Sequence, residues 1–74
     1  MDQTEILTFD NVRGRAQLDE YESDVSLREA LEQAAGLKDH PKAGLLYHIA
    51  WTDARSCGML EVVDRYELLS ELLK

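Results

Sequence analysis

Residues 43–64 read AGLLYHIAWTDARSCGMLEVVD, and the way this stretch is divided decides the fold. Two apolar runs flank a small polar segment. In the first, Leu45, Leu46, Tyr47, Ile49, Ala50 and Trp51 are interrupted only by His48. A run without a polar gap fits a strand covered on both faces. Residues 52–58 (TDARSCG) predict a turn closed by Gly58. Residues 59–63 (MLEVV) predict a second strand, antiparallel to the first.

Working outward, residues 4–9 (TEILTF) predict a short first strand, ended by Asp10 and Asn11 with Gly14 in a turn. Residues 16–22 carry a weaker helical pattern. The strong helix is 26–35. Ser26 and Glu29 stand at capping-box spacing, and Leu27, Ala30, Leu31 and Ala34 build one apolar stripe. Gly36 stops this helix and Pro41 prevents its resumption. Residues 37–42 are a polar connector. Asp64 is placed to cap a last helix, with Tyr66, Leu69 and Leu73 on one stripe.

The order strand, helix, strand, strand, helix predicts an α+β fold. It corresponds to a ferredoxin-like β-α-β-β-α arrangement whose final strand is missing. Two helices would cover one face of a three-stranded antiparallel sheet. The other face would have no cover from the same chain, so a dimer through the sheet is expected.

With 74 residues, the chain makes a single small domain, 1–74. A core of that size supplies only roughly 3–5 kcal/mol. Cys57 is the only cysteine, so no disulfide forms within the chain. One Cys and two His (His40 and His48) lack zinc-site spacing, and no cofactor is expected. Association with another chain is the remaining source of burial. The net charge of −7 argues against nucleic acid and anionic membranes as partners. No leading export signal and no apolar run near roughly 20 residues is present. A lone cysteine and no export signal predict a cytoplasmic protein.

The segment Pro41–Trp51, the turn with Gly58, and Leu60–Glu67 together resemble the centre of dimeric α+β barrel proteins related to antibiotic-biosynthesis monooxygenases. The shared pattern is Pro-x-Gly-Leu leading into an aromatic-His strand, then a glycine turn, then a strand running into Tyr66 and Glu67. The resemblance implies a ferredoxin-like protomer that pairs sheet to sheet. It also implies a cavity able to hold a small aromatic or haem-like ligand.

Few residues suggest chemistry. In the strand reading, His48 shares a face with Leu46 and Ala50 and is partly buried. With Glu61 as carboxylate partner it could act as a base or bind a ligand. Tyr47 and Trp51 share the opposite face and could line an aromatic pocket or pack at an interface. Cys57 has no histidine beside it and reads as a bystander thiol. Asp19, Glu20, Glu22 and Asp24 read as a solvated face, without a calcium-loop spacing. Residues 11–15 (NVRGR) form a small basic turn that could complement acids of a neighbouring chain. No catalytic set converges. The leading expectation is therefore a small acidic, non-enzymatic interaction protein, a homodimer or one bound to a larger partner. The alternatives are a small-molecule-binding protein or minor enzyme with His48, Tyr47, Trp51 and Glu61 in its pocket, and an acidic inhibitor that mimics nucleic acid.

Overall fold

The computed structural model describes residues 7–18, 20–54 and 56–74. Among these residues there is no strand. They form four helices, α1 (Phe9–Gln17), α2 (Asp24–Ala35), α3 (Ala43–Ala54) and α4 (Met59–Ser70), and a 3-10 turn over Glu71–Leu73. The fold is a helical bundle. The α+β, ferredoxin-like expectation is overturned, and with it the resemblance to dimeric α+β barrels and the dimer through a sheet.

The reason lies in the opening stretch. Ala43, Leu46, Tyr47, Ala50 and Ala54 are buried, at separations a helix brings to one face. Leu45, Ile49 and Trp51 are apolar too, but they point outward. They occupy positions that polar residues usually fill, so the 3.6-residue period disappears from the sequence. Composition is the better guide here. Only Ile49 is β-branched between Ala43 and Trp51, and the alanines and leucines favour helix.

The predicted second strand and last helix are one element. Val62, Val63, Tyr66 and Ser70 are buried along α4, and Met59, Leu69 and Leu73 pack against the core. That stripe runs straight through Asp64. The break between α3 and α4 falls at residues 56–58, where Gly58 precedes α4 with φ +103°. A side chain at that φ would be strained.

Helix α2 is close to its prediction. It starts two residues earlier, at Asp24, because the Ser23 hydroxyl accepts from the Ser26 amide at 3.3 Å. Its end is as expected: Gly36 has φ +71°. The Leu37 amide donates to the Glu32 carbonyl (2.8 Å) and the Gly36 amide to that of Gln33 (3.1 Å), the paired bonds of a Schellman stop.

Helix α1 replaces the predicted first strand and turn. Residues 4–6 of that strand lie outside the described residues. Thr8 is the N-cap, its hydroxyl accepting from the Asn11 amide at 3.2 Å, and Phe9 is the first helical residue. Residues 10–14 are helical. Among the described residues of the weaker 16–22 helix, only Ala16 and Gln17 are helical, and they end α1. Tyr21 is buried in the connection to α2.

Helix α4 is the centre of the bundle. It packs against α1, α2 and α3, most extensively against α3, while α2 also touches α1 and α3. Tyr66 is fully buried on α4, with Leu27 and Leu31 of α2 and Val12 of α1 also in the core. Its ring lies 6.4 Å from Phe9 on one side and 6.4 Å from Tyr47 on the other.

Candidate functional site

The four residues singled out from sequence do not gather into one site. Tyr47 and Trp51 stand one turn apart on α3, with rings 6.5 Å apart and 17° from parallel. Tyr47 is buried and Trp51 partly exposed. His48 is exposed on another side of α3. Strand alternation would have buried it, but helical rotation carries it to the surface. Glu61 is half-buried on α4, and its carboxylate pairs with Arg65 one turn on, at 3.2 Å. No hydrogen bond or ion pair among the described residues joins Glu61 to His48. Cys57 is exposed. Asp19 of the acidic cluster lies outside the described residues, while Glu20, Glu22 and Asp24 are exposed.

Two polar constellations emerge that the sequence reading passed over. The first lies between α2, α3 and α4. Arg28 donates from Nε to the buried Glu32 carboxylate at 2.8 Å. Its guanidinium continues over α3, where a β-carbon on Gly44 would stand 2.7 Å from it. The hydroxyls of Tyr47 and Tyr66 are buried and neither accept nor donate a hydrogen bond among the described residues. Burial pushes both phenols from the usual 10 up to about 12; the charge of Asp24 adds to the rise at Tyr47, and that of Glu32 at Tyr66. The Arg28–Glu32 spacing of four was the visible signal in the sequence.

The second constellation joins α1 to α4. Arg13 donates to Asp10 at 3.0 Å, to Asp64 at 2.8 Å and to Glu67. The bonds to Asp64 and Glu67 raise the guanidinium above its already high ordinary pKa. Arg13 was read as part of a basic turn facing a neighbouring chain; it faces acids of its own chain instead. Only the Asp10–Arg13 spacing was legible, since the other partners lie more than fifty residues away.

Two grooves flank these features. One, of about 580 Å³, runs along α2 and carries charges of both signs, with Arg15 and Lys38 against Glu29, Glu32 and Asp39. The other, of about 360 Å³, lies between the start of α1 and the second half of α4. None of Tyr47, His48, Trp51 and Glu61 lines either groove.

Outside the grooves, large apolar side chains face solvent. Leu45 (58% exposed) and Ile49 (38%) stand one turn apart on α3, and Leu72 (78%) follows the end of α4. No described helix is long and apolar enough to cross a membrane. A family model described as a family of unknown function (DUF8546) matches residues 3–74. No curated protein and no solved structure matches the chain.

Proposed function

We propose, for a chain that belongs to this family of unknown function, the role of a small acidic interaction protein that pairs with a second copy of itself. The observation that carries this reading is the outward pair Leu45 and Ile49, one turn apart on α3, on a bundle with few residues to spare for burial. Exposed apolar residues on successive turns of one helix are characteristic of contact surfaces. A stable pair buries about 800 Å² on each partner, close to a sixth of this chain's 5121 Å² surface. A cytoplasmic setting belongs to the same reading and is supported by the single exposed thiol of Cys57.

Electrostatics gives this pairing a signature. Two copies each carry a net charge of −7, so they repel, and added salt screens that repulsion. Sedimentation equilibrium at micromolar concentration should give twice the 8.4 kDa chain mass, with the paired fraction rising as salt is added. Leu45→Glu and Ile49→Glu should each yield monomers with unchanged helical circular dichroism. A single-chain mass across the whole salt range would overturn the reading.

A further inference from the structure

The groove between α1 and α4 has a composition unlike the row on α3. Phe9 and Leu68 form its apolar wall; Asp64, Glu67, Glu71 and Lys74 form its rim. Leu68 is 65% exposed, so much of its side chain is free to be covered. The inner side of Phe9 rests on Tyr66, which fixes the wall in place. At the same rim, Asp64 and Glu67 already hold one guanidinium, that of Arg13, together with Asp10. Glu71 pairs with Lys74 at 3.4 Å. Counting these six charged groups gives four acids against two bases, so the rim keeps an excess of two negative charges.

The geometry points to a docking site for an arginine-rich, partly apolar segment of a partner protein. Its volume of about 360 Å³ suits one or two side chains rather than a whole helix. An arginine fits both halves of the groove. Its aliphatic stem can lie on Leu68 and Phe9 while its guanidinium reaches the carboxylates. The bonds made to Arg13 show that these acids already meet a guanidinium in hydrogen-bonding geometry. The carboxylate excess draws a basic segment in, and the apolar wall selects segments that combine arginine with leucine-like residues. This site is separate from the pairing surface on α3 and does not depend on it.

The test uses the full chain and a short labelled peptide of alternating arginine and leucine. Amide chemical-shift changes should concentrate at Phe9, Glu67, Leu68 and Glu71. Leu68→Ser should weaken binding about tenfold, because it strips the apolar wall. Glu71→Gln should weaken it about threefold to fivefold, as expected for a half-exposed charge pair. The control is Glu22→Gln, an exposed acid that does not line the groove and changes net charge equally; it should leave affinity unchanged. Affinity should fall as salt rises, the opposite of the pairing reaction. Equal losses for Glu22→Gln and Glu71→Gln, or shifts spread over the whole acidic surface, would overturn the site. The Leu45→Glu chain separates the two ideas: it should still bind the peptide as a monomer, whether or not the native chain pairs.

Discussion

The hydroxyls of Tyr47 and Tyr66 are buried without a bonding partner among the described residues, although each ring packs well. Leaving a polar group unsatisfied costs free energy that a hydrogen atom in its place would not. Tyr66→Phe should therefore raise stability by about 1 kcal/mol, read as a higher urea midpoint. A loss of similar size would mean the hydroxyl is bonded in solution. The same groups give the protein an alkaline limit. Both phenols stay protonated in the folded chain up to about 12, whereas they ionise near 10 in an unfolded one. The folded state thus holds more protons between those values, so stability is full below about pH 10 and falls as pH rises toward 12. Tyr47→Phe and Tyr66→Phe should each flatten that decline. Thermal melts across this range check it, and a decline unchanged in both variants would locate the cause elsewhere.

At the scale of helices, two glycines should respond in opposite directions to the same change. Gly14 lies inside α1, and a β-carbon there would meet nothing within 4 Å. Gly14→Ala should stabilise by about 0.8–1 kcal/mol, the helix-propensity difference. Gly36 ends α2 at φ +71°, and Gly36→Ala should destabilise by about 1 kcal/mol because alanine is strained there. Denaturant midpoints decide both, and two shifts of the same sign would contradict the backbone assignment. Gly36 was legible from sequence because a stop glycine follows a clean apolar stripe, Leu27 to Ala34. Gly14 was not: beside Asp10 and Asn11 it read as a turn. The same contrast explains α2 against α3. Helix α2 alternates its apolar stripe with Arg28, Glu29 and Gln33, so its period can be seen. Helix α3 places Leu45, Ile49 and Trp51 where polar residues would mark its outer face, and the period vanishes. His48 then inherited a buried position that only a strand would give it. Tyr47 was legible as a packing residue under either geometry.

Across the whole molecule, Arg13 is the clearest electrostatic link between elements distant in sequence. It gathers Asp10 of α1 with Asp64 and Glu67 of α4, on a chain whose net charge is −7. Helix α1 otherwise attaches through a short apolar stripe, Val12 and Ala16, with Phe9 beside Tyr66. Removing the guanidinium leaves three carboxylates facing one another across the α1–α4 contact. Arg13→Met keeps most of the aliphatic stem and deletes only the charge. The groups are partly exposed, so each pair is individually weak, and the variant should lose about 1 kcal/mol in dilute buffer. The loss should shrink with added salt, which screens the repulsion among the freed acids. It should also be local. Amide hydrogen exchange should quicken along α1 while the α3–α4 pairing, the most extensive contact in the bundle, keeps its protection. Uniformly faster exchange through all four helices would mean that Arg13 supports the fold as a unit. No change anywhere would mean that α1 is held by Val12, Ala16 and Phe9 alone.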